Sequence, residues 1–120
     1  MGQHPASQGE ILLYENGGEK EFVSVVFKGE TFWLTQSGMA ELFDCSTDNI
    51  SLHLKNIYAE EELTPEATTE KISVVRQEGS RQVRRTLDHY NLDAIIASLR
   101  SENARMAGDL QYLSKHEAIM

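Results

Sequence analysis

Asp48, Asn49, Leu52, Lys55 and Asn56 lie within one short stretch, STDNISLHLKNIYAE, from Ser46 to Glu60. Asparagine can form paired hydrogen bonds with adenine, and lysine reaches guanine or phosphate. An apolar side chain can touch the thymine methyl, and a carboxylate accepts from the cytosine amino group. A second group, Lys71, Arg76, Arg81, Arg84 and Arg85, is spread over KISVVRQEGSRQVRRT around Gly79. Arginine on an extended tip suits phosphate or a narrow minor groove. Together the two groups could read base edges and hold a nucleic-acid backbone.

Other chemistry is thin. There is no dinucleotide-binding glycine pattern and no phosphate-loop sequence. His4, His53, His89 and His116 are too scattered for a metal-ligand set. Cys45 is the single cysteine, so no intrachain disulfide can form, which is compatible with a reducing cytoplasm. Its place between two helical patterns suits a small core filler rather than a nucleophile. The residues therefore point to no catalytic group, metal or cofactor, and the protein is expected not to be an enzyme. At 120 residues, 40% hydrophobic and 25% charged, the chain has the size and composition of one globular domain. No apolar run nears the roughly 18 residues of a membrane span. MGQHPASQGE lacks the basic and apolar regions of a secretory signal. Residues 1–9 read as a flexible lead, 10–97 as the domain, and 98–120 as a helical tail. A cytoplasmic location is expected.

The elements that would position these groups follow from pattern. Ile11 to Tyr14, Phe22 to Phe27 and Thr31 to Leu34 read as antiparallel strands, the first two joined by an Asn16-Gly17-Gly18 turn. Trp33 and some of the phenylalanines are expected in the core. Thr35 caps a helix whose Met39, Leu42 and Phe43 share a face, ending near Asp44 or Cys45. Ser46 or Thr47 caps a second helix. With Ile50 set at zero and about 100° per residue, Leu54 and Ile57 fall within about 40° of it and mark the buried side. Lys55, Asp48, Leu52, Asn56 and Asn49 occupy the far side, with Ser51 and His53 on its flanks. That face is either a reading surface or a solvated face carrying one exposed leucine. His53 could meet phosphate or pack on the first strands.

EEELTPEATTE reads as a polar linker. A β-hairpin follows, with Ile72 and Val74 on one strand, Val83 and Leu87 on the other, and QEGSR at the tip. Asn91 caps a last helix with apolar Leu92, Ile95, Ile96 and Leu99. Leu99, Met106 and Leu113 recur every seven residues, joined by Leu110, but Asn103 and Glu117 interrupt the complementary positions.

The net charge of −8 opposes nucleic-acid binding as a whole. The charge is segregated, however. Residues 60–70 carry five glutamates and no cation, whereas 71–86 carry five cations against Glu78. The hairpin arginines could meet phosphate, or they could neutralise those glutamates.

A helix-turn-helix followed by a basic hairpin is the order of a winged helix, which puts its second helix in the major groove and its wing on the backbone. The expected fold is α+β: a winged helix-turn-helix with an N-terminal β-hairpin and a C-terminal helix. The blocks FWLTQ, MAELF, NIS, HLKNIY and YNLDAIIA, over roughly residues 10–97, resemble the N-terminal region of the virulence-protein RhuM family. Its members are bacterial proteins common on mobile or pathogenicity islands, and the same module is attached to Fic-type and death-on-curing proteins. The resemblance implies DNA binding through helices at Thr35–Asp44 and Thr47–Ala59, and it carries over no catalytic residue. After Ala97 such proteins usually continue with a Gly-Tyr-Arg stretch, from which this chain departs. Double-stranded DNA is the expected partner, with self-association through the C-terminal helix. The alternative is a protein-interaction adaptor that uses the same surfaces without DNA.

Overall fold

The computed structural model describes residues 7–16 and 18–117, with side chains for residues 7–12 and 18–108. The expected lead at 1–6, His4, Gly17 of the first turn and the last three residues of the tail lie outside the described residues. The elements run β1 (Ser7–Asn16), β2 (Glu19–Lys28), β3 (Thr31–Leu34), α1 (Gln36–Phe43), α2 (Thr47–Ala59), α3 (Pro65–Thr68), β4 (Thr69–Glu78), β5 (Arg81–Asn91) and α4 (Leu92–Glu117). The fold is a mixed α+β arrangement of a five-stranded antiparallel sheet and four helices. The strand order is β1-β2-β3-β5-β4.

Period-two alternation sorts the strand residues onto two faces. Val23, Val25, Leu34 and Tyr90 point to the helices, where they pack with Met39, Ala40, Ile50, Leu54, Ala94 and Ile95. Val26, Trp33, Ile72 and Val74, with half-buried Leu87, form a second core on the opposite face. The sheet shelters it by curling, because β3 and β5 pair only at Trp33–Asn91 and Leu34–Tyr90. The two hairpins can therefore fold toward each other. The Gln8 amide, on edge strand β1, accepts from Val75 N at 3.1 Å and donates to Val75 O at 3.2 Å on the other edge, β4. Lys28 of β2 and Glu70 of β4 form an ion pair between the same two hairpins.

Several expectations need correction. Trp33 is buried, with its indole N–H donating to Lys28 O, but Phe22, Phe27 and Phe32 are exposed. β1 already starts at Ser7, inside the segment read as a flexible lead, because Gln8 finds a partner across the curl. The polar linker holds the short helix α3, with Pro65 at its start and Thr68 fully buried beneath Tyr58. α4 passes position 97 without a break. Among the described residues no helix is long and apolar enough to cross a membrane.

Candidate nucleic-acid interface

The turn between α1 and α2 is built by local chemistry. The Thr35 hydroxyl accepts from Gly38 N at 3.0 Å and opens α1. Asp44 ends it in the left-handed conformation, φ 55°, where its N–H reaches back to Ala40 and Glu41 carbonyls. Asp is one of the few non-glycine residues that tolerates this backbone. The Ser46 hydroxyl then accepts from Asn49 N at 3.1 Å and starts α2. Cys45, between the helices, is half-buried against the main core, and burial pushes its thiol pKa up.

The phase of α2 is the expected one. Ile50, Leu54 and Ile57 are buried, while Asp48, Leu52, Lys55 and Asn56 are exposed and Asn49 is half-buried. Leu52 stands out at 53% exposure, an apolar side chain central to a polar face. Ser51 is exposed on the flank. His53 is not on the edge of this face: it is buried, and it packs on α4 rather than on the first strands or toward phosphate. Its Nε2 lies 2.9 Å from Glu102 Oε1, a carboxylate only 1% exposed. Arg105 Nε and Nη2 donate to the two oxygens of that carboxylate at 3.1 and 2.7 Å. The Arg105 guanidinium, followed by the bond from His53, outweighs the cost of burial and holds the Glu102 pKa down at about 2. Sequence reasoning missed Glu102, because a glutamate in a charged helix carries no mark of burial.

The hairpin tip is a two-residue turn with Gly79 at φ 64°, the position where a type II′ turn needs glycine. Its five cations are not equivalent. Cross-strand pairing puts Arg76, Arg81 and Arg85 on the face of Ile72 and Val74, and Lys71 and Arg84 on the other. Arg85 is held by Glu78 in a two-pronged contact at 3.0 and 2.8 Å, which pulls the Glu78 pKa down. Lys71 is paired with Asp88 at 2.9 Å. Arg81, Arg84 and Arg76 are exposed and form no hydrogen bond or ion pair among the described residues. None of the five reaches the acidic stretch. Glu62 and Glu70 are met instead by Arg100 and Lys28.

α1 sits beside the hairpin. A cleft of about 100 Å³ between them is lined by Thr35, Ser37, Glu41, Arg76 and His89. His89 is buried, its Nδ1–H donates to Leu87 O at 2.8 Å, and burial pushes its pKa down. With Glu41 beside Arg76 the cleft is of mixed charge. α2 packs on α1 and α4 and has little contact with the sheet. α2 and the β4–β5 hairpin, which carry the two groups of residues singled out in the sequence, are not packed on each other. Among the described residues no group of three His, Cys, Asp or Glu side chains is placed to hold a metal. Comparison with family models, curated proteins and solved structures finds no match.

Proposed function

We propose that this is a double-stranded-DNA-binding protein, a transcription regulator, whose α2 enters the major groove while the β4–β5 hairpin lies on the backbone as a wing. The observation that carries this reading is the state of the wing. In an acidic chain, Arg81 and Arg84 are exposed and form no hydrogen bond or ion pair among the described residues, and exposed Arg76 lies on the same hairpin within electrostatic reach of Glu78. Exposed cations beside a hairpin turn, as Arg81 and Arg84 are, are available to phosphate. Support also comes from the capped turn before α2 and from the exposed Asn56, Lys55 and Leu52. Arg85 and Lys71 are weaker contacts on this reading, since each would have to leave an internal partner. Self-association through α4 would double the basic footprint.

The test is a mobility-shift titration with randomised duplex at several salt concentrations. Replacing Arg76, Arg81 and Arg84 with alanine should weaken binding across sequences. It should also flatten the salt slope by about 0.9 for each phosphate that is no longer neutralised. Asn56→Ala and Lys55→Ala should instead relax sequence preference. Absence of binding to any duplex at low salt removes the reading.

The adaptor alternative has its own observation. Phe27 and Phe32 stack in a tilted pair with centroids 5.3 Å apart while remaining exposed, a surface suited to a protein partner. If duplex binding fails, this patch becomes the first to mutate.

A further inference from the structure

Leu92, Ile95, Ile96 and Leu99 look in sequence like one buried face of the last helix, but the fold divides them. Ala94, Ile95, Ala97, Ser98 and Glu102 are buried against the body. Leu92, Ile96, Leu99 and Met106 point away from it, with exposures of 41, 44, 40 and 47%. Beyond Glu102 every side chain to position 108 is exposed, so α4 leaves the body there. The remaining 15 residues to Glu117 extend it by about 22 Å at 1.5 Å per residue.

The outward residues have a strict spacing. Positions 92, 96, 99, 103 and 106 alternate four and three residues apart, and the sequence repeats the step at Leu110 and Leu113. That is a heptad seam starting one heptad earlier than the sequence alone suggests. Leu92, Leu99, Met106 and Leu113 fall at d, and Ile96, Asn103, Leu110 and, at the end of α4, Glu117 at a. A β-branched residue at a with leucine at d favours two parallel strands, and a lone asparagine at a fixes register and oligomer state at a cost in stability. Asn103 is therefore no interruption of the repeat, which leaves Glu117, the last residue of α4, as the one charged a position. Its amide has both a donor and an acceptor, so it is complementary to itself, which suits another copy of this chain, in register, as the occupant. The body packs on the b, c, f and g positions of α4, and the a/d side chains from Leu92 to Met106 are exposed on the other side.

We infer that α4 pairs with α4 of a second copy as a parallel two-stranded coiled coil, in register at Asn103. The pairing extends the self-association part of the proposed function and does not depend on DNA. Its measurement is made without duplex, so the two fail separately. Sedimentation equilibrium of the full chain should give a dimer. Leu99→Asp with Met106→Asp, both on the exposed stripe, should weaken dimerisation at least 100-fold while the circular dichroism and Trp33 emission of the body are retained. In a Cys45→Ser background, Met106→Cys should cross-link fully on mild oxidation, as adjacent d positions in a parallel pair require. Asn103→Leu should tighten association and admit species larger than the dimer. A chain that stays monomeric, a dimer indifferent to the two aspartates, or a cysteine variant that does not cross-link overturns the inference.

Discussion

Replacing Glu102 with glutamine tests the contact that ties the candidate reading helix to the rest of the molecule. The side chain keeps its volume and loses its charge, so little of the effect is cavity. Glu102 accepts three hydrogen bonds, one from His53 and two from Arg105. The bond to His53 joins two buried groups, and a hydrogen bond to a buried charged acceptor contributes about 1.5–3 kcal/mol. The Arg105 side chain is 42% exposed, so its share is screened and is worth about 0.5–1 kcal/mol. The expected loss is about 2–4 kcal/mol, which lowers Tm by at least about 8 °C in a domain this small. Urea unfolding followed by Trp33 emission measures it, since Trp33 is the only tryptophan and is buried. A double-mutant cycle with His53→Ala isolates the pair, with a coupling of about 1 kcal/mol or more expected.

The same pair predicts a pH window. The folded pKa of Glu102 is about 2, below its ordinary 4.5, so its ionised form favours the fold. That stabilisation is complete above about pH 4.5 and is lost as pH falls toward 2. The gap between the parent chain and Glu102→Gln should therefore narrow over this range and be constant above it. A loss under about 1 kcal/mol, or a gap unchanged between pH 4.5 and 2, would refute the assignment of Glu102 as a buried, ionised anchor.

Asp44→Gly should stabilise the fold by about 0.5–1 kcal/mol in urea unfolding, because glycine adopts the left-handed backbone of this position without strain. Ser98→Ala should be neutral or stabilising by about 1 kcal/mol in the same assay. The Ser98 hydroxyl is fully buried and has no hydrogen-bond partner among the described residues, so its removal relieves an unmet desolvation cost.

The elements are largely legible because their signals are local. Thr35 and Ser46 accept from backbone N–H groups three residues ahead, and Ile50, Leu54 and Ile57 repeat at the helical period. Gly79 supplies a positive φ to a two-residue turn. The phase of α2 follows from the same regularity, and so does most of the candidate reading face. The phenylalanines illustrate where such reasoning stops. Phe22, Phe27 and Phe32 have the strongest apolar character in their strands, yet all three are exposed, although Phe27 and Phe32 share the strand face of buried Val25 and Leu34.

What sequence alone determined is therefore the run of helices and strands, the segregation of acidic from basic residues, and the side of α2 that faces the core. Tertiary structure decided which charges remain available, because strand pairing joins residues apart in sequence: Arg85 is taken by Glu78 and Lys71 by Asp88, while Arg81 and Arg84 have no ion-pair partner among the described residues. It decided that His53 is an internal strut, since its partner Glu102 lies 49 residues away. It also separated Ile95 from Ile96, adjacent apolar residues of equal hydrophobicity, by the roughly 100° that puts one against the body and the other on the outer seam of α4.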